Sequence, residues 1–438
     1  MRSFVVVCLA AAAIASPLGP KANKLQGRTF SIAQVTNAKY DNTETGLDAR
    51  LYAYVKYNAA LPETLQRALE IGEHVNARYK ALIGRDLNST RFNSGQTGQV
   101  LAFPPRNLDI QYVVPVQIGY PQQTVFLNLD TGSGDLWTFS TETPQSQVQN
   151  QVLYNPDASN TSQLQEGQTW NIRYGDGSGA SGIIYKDRVS LGVTSFNTQA
   201  VESATRVSGA FTRDSFSSGI LGLGFGRGNT AAPEQVKTYV ENILPTLAAP
   251  LFTSNLLAGR PGNYNFGYIS PREHEGVIAY TPVSRQNAYW EISVDGVQVG
   301  RQGTFRPAAD LLERVVVDTG TTLILVPDEL VDEYYSEVRG ARFAASWGGF
   351  VFPCASTLPD WYFGIGTYRG RVPGEYVRYN QVNDTHCFGG IQSSEGIGFN
   401  LFGATLLKAQ LAVFDYVDKE GRGRPRVGFA NKRLLRFD

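Results

Sequence analysis

Leu129-Asp130-Thr131-Gly132-Ser133 returns as Val317-Asp318-Thr319-Gly320-Thr321, 188 residues further along the chain. In both copies an apolar residue precedes the Asp and a hydroxyl residue follows the Gly. A leucine comes soon after, Leu136 in the first copy and Leu323 in the second. A single Asp-Thr-Gly is a weak signal in a chain of 438 residues. Two in similar frames predict a duplicated lobe, each copy contributing one carboxylate to a shared site.

Outward from these loops the texture is that of short strands. Tyr112-Val113-Val114-Pro115-Val116-Gln117-Ile118, Thr124-Val125-Phe126-Leu127-Asn128-Leu129 and Arg314-Val315-Val316-Val317 are β-branched or aromatic runs bounded by Gly and Pro. With 45 glycines and few long helical patterns, the chain from about residue 108 onward reads as all-β, with short helices near 233–242 and 327–338. Residues 45–85 differ. Leu51, Val55, Leu65, Ala68, Leu69 and Ile71 fall near helical spacing, and Pro62 opens a second helix. The stretch Asn93-Ser94-Gly95-Gln96-Thr97-Gly98-Gln99 reads as an exposed, cleavable linker.

Charge is balanced overall, 39 basic against 39 acidic residues, which excludes a general nucleic-acid footprint. The balance hides an asymmetry. Residues 16–98 hold 11 Lys+Arg and 7 Asp+Glu, whereas 99–438 hold 27 and 32. A basic front piece before an acidic body suggests that one covers the other.

Arg2, the apolar run Phe4–Ala15 and the small-x-small site Ala13-Ile14-Ala15 read as a secretory signal ending before Ser16. No other stretch reaches spanning length, and the end of the chain, 432–438, is charged, so no membrane anchor is expected. Cys8 leaves with the signal. Cys354 and Cys387 then read as one disulfide, two thiolates without clustered His being a poor zinc set. Sequons at Asn88, Asn160 and Asn383 are glycosylation candidates that fit export.

The chemistry follows from what is scarce. After residue 98 there are two histidines, His274 and His386, with no His-Glu-x-x-His and no Gly-x-Ser-x-Gly. A carboxylate pair needs no histidine, metal or cofactor. Two carboxyls within hydrogen-bond reach share one proton, so one can take a proton from water while the other polarises a carbonyl.

On these residues the chain resembles the pepsin-like aspartic endopeptidases, in particular their secreted fungal branch, from Gln111 to Phe429. The resemblance implies a bilobal, all-β acid protease fold with a cleft between two homologous lobes. It implies the segments 1–15 (signal), 16–98 (inhibitory front segment, ending between about 90 and 105), 99–280 (first lobe) and 281–438 (second lobe). Asp130 and Asp318 would be catalytic. Thr131 and Thr319 would cross-link the two loops, Ser133 and Thr321 would bond the outer carboxylate oxygens, and Gly132 and Gly320 would let backbone approach the carboxylates.

Trp170-Asn171-Ile172-Arg173-Tyr174-Gly175-Asp176-Gly177-Ser178-Gly179 reads as a hairpin with a glycine-rich tip and matches the family's flap. The match gives Tyr174 the role of covering substrate, Trp137 that of supporting its hydroxyl, and Gly175 and Asp176 places at the tip. Phe211 and Ile220 align with walls of the pocket before the cut, and Tyr289, Val316 and Leu401 with walls of the pocket after it. Fungal members with Tyr-Gly-Asp-Gly-Ser flaps accept Lys before the scissile bond, so Asp176 implies that tolerance.

Ala404 departs from the family's usual Asp after the second apolar-apolar-Gly segment. Losing a nearby negative charge eases deprotonation of the pair, whereas renin-like members with alanine there show the opposite tendency. An acidic optimum is the expectation that survives both. Lys56-Tyr57, before Leu61-Pro62-Glu63, resembles the Lys-Tyr of fungal propeptides, whose Lys neutralises the catalytic pair until falling pH loosens it. The expected product is an extracellular, monomeric endopeptidase made as an autoactivating zymogen, acting on extended peptides. A catalytically silent pepsin-like binding protein and a vacuolar protease are the alternatives.

Overall fold

The computed structural model describes residues 30–33, 45–57, 59–71, 112–173, 179–214, 217–259, 262–284, 287–417 and 422–432. The signal, the linker at 93–99, Asn88 and the hairpin tip with Tyr174, Gly175 and Asp176 lie outside them.

The chain is mainly strand, and its two halves repeat one sheet plan. In the first half a seven-stranded sheet runs Val113–Ile118, Gln123–Asp130, Gly219–Gly222, Leu136–Phe139, Thr194–Val207, Gly179–Leu191, Gln163–Arg173. In the second, five strands run Glu291–Ile292, Val315–Val317, Asn400–Phe402, Ile324–Val326, Ile391–Ser393. The second to fifth strands of each, in these orders, correspond. Leu129 pairs in parallel with Leu221, and Val317 pairs in parallel with Phe402. Trp137 faces Ile220 and Glu202 on its two sides, as Leu325 faces Leu401 and Gln392.

Local sequence explains the strands. In Gln123–Asp130 the alternate residues Val125, Leu127 and Leu129 are fully buried, the period-2 pattern of a sheet with one face on a core. Val315, Val316 and Val317 are all buried, as a short strand covered on both faces should be. A six-stranded sheet joins the halves by pairing Leu251–Asn255 and Asn263–Phe266 with Gln410–Asp415, Arg426–Asn431 and Ala279–Pro282. Its edge strand is Phe30–Ala33, from the front segment, antiparallel to Asn263–Phe266. Nothing in the sequence pattern had marked those four residues as a strand.

The front segment also supplies helices α1 (Gly46–Lys56) and α2 (Glu63–Ile71). The start of α1 is fixed by a reciprocal cap. Thr45 Oγ1 accepts the Asp48 N–H at 3.1 Å, while Asp48 Oδ2 accepts the Thr45 N–H at 2.8 Å. Leu47, Leu51 and Tyr54 form its buried face, sharing a core with Leu65 and Ala68 of α2 and with Val351, Phe388 and Leu401 of the second half. Buried Arg50 donates to the carbonyls of Gly348 (2.7 Å) and Ser393 (3.2 Å), and Tyr54 donates to Ser393 (3.2 Å). These contacts set where the last residue of α1, Lys56, must point. Cys354 and Cys387 form a disulfide spanning 33 residues, which loop-closure entropy values at about 3–4 kcal/mol at most.

Candidate active site

Each Asp-Thr-Gly loop follows a buried strand, Gln123–Asp130 in one half and Val315–Val317 in the other. The loops meet through their threonines. Thr131 N donates to Thr319 Oγ1 at 3.0 Å and Thr319 N donates to Thr131 Oγ1 at 2.9 Å. Each hydroxyl then donates onward across the halves, Thr131 Oγ1 to Val317 O at 2.8 Å and Thr319 Oγ1 to Leu129 O at 2.7 Å. Four buried hydrogen bonds therefore lock one loop to the other with no freedom left in either hydroxyl.

This lock brings Asp130 and Asp318 to a single point. Lys56 Nζ lies 2.8 Å from Asp130 Oδ1 and 2.8 and 2.7 Å from the two oxygens of Asp318. The side chains of Lys56, Asp130 and Asp318 are at most 2% exposed. Asp130 also accepts from Gly132 N (2.9 Å) and Ser133 Oγ (2.6 Å). Asp318 accepts from Gly320 N (2.9 Å), Thr321 Oγ1 and Tyr57 OH (2.7 Å). Glycine is required at two places. A Cβ on Gly132 would stand 2.7 Å from both Asp318 Oδ1 and Lys56 Nζ, and one on Gly320 would stand 2.7 Å from Asp130 Cγ.

Burial alone would push the Lys56 amine down, but the two carboxylates reverse this and hold it well above the ordinary lysine range. The carboxyls diverge. Burial raises Asp130, an effect that Lys56 only partly offsets and that the charge of Asp318 reinforces. Burial opposes ionisation of Asp318 too, yet Lys56, Thr321 and Tyr57 together hold it below the ordinary aspartate range. Asp318 has the more hydrogen-bond donors of the two, so the first proton goes to Asp130.

The wall residues separate into two groups. Trp137, Phe211 and Ile220 pack in one cluster, with Trp137 and Phe211 edge to face at 4.9 Å. Tyr289, Val316 and Leu401 belong to another, and there Tyr57 packs edge-on against Tyr289 (5.4 Å) and Phe399 (4.8 Å). Trp137 Nε1 is buried with no hydrogen-bond partner among the described residues. Ala404 is buried, and its N–H donates to Thr321 O at 2.8 Å, so the position stands directly behind the second loop. Asn160 is exposed, as is Asn383, where the Asn383 side chain closes a turn onto Thr385. Sequence reasoning missed Asp135 and Glu202, two buried carboxyls behind the first loop. Among the described residues no group of three or more His, Cys, Asp or Glu could hold a metal, and no helix is long and apolar enough to cross a membrane.

Residues 111–432 match the family model described as eukaryotic aspartyl protease. The chain is 40% identical over 441 residues to endothiapepsin of Cryphonectria parasitica, covering 98% of this chain and 99% of that protein. It is 38% identical over 432 residues to aspergillopepsin-1 of Aspergillus oryzae, covering 98% and 99%. In fold it is similar to the crystal structure of an aspartic proteinase from Irpex lacteus, with a TM-score of 0.59 at 22% identity over 74% of this chain and 95% of that one.

Proposed function

This chain belongs to the eukaryotic aspartyl protease family and is an aspartic-type endopeptidase of pepsin-like fold, and we propose that Asp130 and Asp318 are its catalytic pair. The observation that carries the assignment is the convergence of both carboxylates, one from each Asp-Thr-Gly loop, on the single nitrogen of Lys56. Two carboxylates so close cannot both stay ionised once that ammonium leaves, and they then share one proton. A water in the vacated place is flanked by both groups. The ionised carboxyl takes its proton as the water oxygen attacks the peptide carbonyl carbon, and the protonated carboxyl donates to the carbonyl oxygen. The leaving nitrogen then collects a proton from the pair. Ser133, Thr321 and the two glycine N–H groups hold the carboxyls in plane for this exchange.

In this reading residues 1–15 direct secretion, 16–98 form the inhibitory segment, and the enzyme is an extracellular zymogen that processes itself in acid. Lys56 occupies the catalytic centre, and Tyr57 fills the apolar wall of Tyr289 and Phe399 as a substrate side chain would. Tyr174 is the flap residue, and the unpaired Trp137 Nε1 offers the donor its hydroxyl would accept from. Acid-treated full chain should lose all peptidase activity on stoichiometric titration with pepstatin. Activity unaffected by excess pepstatin would overturn the assignment. Asp176 supports acceptance of Lys before the cut, so Asp176→Ala should lower kcat/KM for such a substrate by about ten- to a hundred-fold while sparing an all-apolar one. Equal cleavage of the lysine substrate by both proteins would remove Asp176 from the pocket.

A further inference from the structure

Five residues after Asp130, on the same loop, Asp135 is 1% exposed, and Glu202 on the neighbouring strand is 0% exposed. Asp135 Oδ1 is fully engaged by Thr230 N (2.8 Å), Thr230 Oγ1 (2.8 Å) and Asn229 Nδ2 (3.2 Å). Glu202 Oε1 accepts from the same Asn229 amide at 2.8 Å, and that amide also reaches Gly134 O at 3.3 Å. The remaining oxygens, Asp135 Oδ2 and Glu202 Oε2, are buried and find no donor. The two carboxyls nevertheless converge on one donor, the Asn229 amide nitrogen, at 3.2 Å from Asp135 and 2.8 Å from Glu202. A bond between two carboxyls needs a proton that neither carries when ionised.

We propose that Glu202 is a positioning residue for Asp130: it shares one proton with Asp135, and that proton holds the loop from Asp130 to Asp135 in its working shape. The proposal rests on the reading of Asp130 as catalytic. The loop has little slack. Leu223 N bonds Asp130 O at 2.7 Å, Gly224 N bonds Ser133 O at 2.8 Å, and Gly222 N bonds Asp135 O at 2.8 Å. A displaced Asp135 therefore moves Ser133, whose hydroxyl holds Asp130.

The second half of the chain solves the same problem without a proton. By strand register Glu202 corresponds to Gln392, and Asp135 to Leu323. Gln392 is buried and satisfied by the Phe350 N–H and by the Phe350 and Gly389 carbonyls. Only the first half has two acids at this place, so only there does the support behind the loop become sensitive to pH.

The groups facing the pair are few. Asp130 faces it from the loop, Asn229 and Thr230 from the segment after Gly219–Gly222, Trp137 and Ile184 from the adjoining strands. No cation pairs with either carboxyl among the described residues. Burial first, then the charge of Asp135, holds Glu202 well above the ordinary glutamate range. A carboxyl raised in the folded state stabilises the fold fully below its unfolded value of about 4.3, and that stability is lost as pH rises through the folded value. Rising pH thus strips the shared proton and leaves two facing carboxylates behind the catalytic loop.

Glu202→Gln replaces the proton with an amide donor at every pH. Thermal unfolding of the full chain, followed from about pH 5 to about pH 8, should then lose most of the wild type's decline with pH, and the upper limb of activity after acid treatment should move upward by about one pH unit or more. Glu202→Ala, which leaves Asn229 and Asp135 short of partners, should lower kcat about ten- to a hundred-fold with little change in KM, and Glu202→Gln should recover most of that loss. Asp135→Asn should flatten the unfolding profile in the same way. The proposal is overturned if Glu202→Gln keeps the wild-type pH dependence, or if it fails to fold while Asp135→Asn titrates as wild type does. The unfolding profile involves no catalysis, so it reads the shared proton even if Asp130 proves dispensable for hydrolysis.

Discussion

Replacing Asp318 with Asn is expected to lower kcat by at least about ten-thousand-fold, and Asp130→Asn to do the same, because each change removes one half of a shared-proton pair. The two variants should part company in the zymogen. Asp318 is held below its ordinary range, so its ionised form stabilises the closed state above the unfolded value of about 3.9, and that contribution is lost as pH falls through the lower folded value. Asn at 318 forfeits it and leaves Lys56 with the single anion Asp130. Asp130 is raised, so ionising it costs the folded state, and a neutral amide there relieves that cost. At neutral pH Asp318→Asn should therefore destabilise the full chain by about 3–5 kcal/mol, and Asp130→Asn by much less. Peptide hydrolysis by acid-treated material and urea unfolding of untreated material read the two effects separately. Either variant retaining a tenth of wild-type kcat would remove that residue from the pair.

Much of this site is legible in the sequence because its chemistry is local. The Gly N–H and the hydroxyl at the fourth place bond the Asp of their own loop, while the Thr and the room at Gly answer to the other loop, and because the motif occurs twice both kinds of contact are signalled by one short pattern. Lys56 is legible through resemblance, as the Lys-Tyr ahead of Leu61-Pro62-Glu63 that is similar to fungal propeptides, and in the structure it closes helix α1. What is not legible depends on register. Glu202 sits 67 residues from Asp135, and on a strand of mixed polarity a lone Glu reads as a solvated face until the pairing with Trp137 is known. Phe30–Ala33 carries too short a pattern to announce that it edges a sheet shared by both halves. One expectation also changes in kind. The charge asymmetry suggests a basic front piece covering an acidic body, yet buried Arg50 is held by carbonyl oxygens, which acid does not titrate. Among the described residues the acid-labile grip is that of Lys56 on the pair itself.

That placement makes Lys56→Ala the second large expected effect. Removing the ammonium leaves two buried carboxylates without their cation, a loss of about 3–5 kcal/mol from the closed state. At 1.36 kcal/mol per decade, the closed population falls by roughly a hundred- to several-thousand-fold relative to the open one. The full chain should then process itself, and show peptidase activity, at pH values where the wild type stays latent. In the wild type the same release comes from titration. As pH falls, Asp130 protonates first and leaves Lys56 a single anion; Asp318, ionised to lower pH, is the last hold. Its grip is present above about pH 3.9 and fades below, so wild-type processing should accelerate steeply across the carboxylate range, whereas Lys56→Ala should process with only the pH dependence of peptide hydrolysis itself. Tyr57 does not substitute for the lysine, since its hydroxyl gives Asp318 one neutral hydrogen bond and gives Asp130 none. Processing half-times measured from neutral to acid pH by gel and by peptide assay distinguish the two proteins. A Lys56→Ala zymogen as latent at neutral pH as the wild type would place the inhibitory contact elsewhere in the front segment.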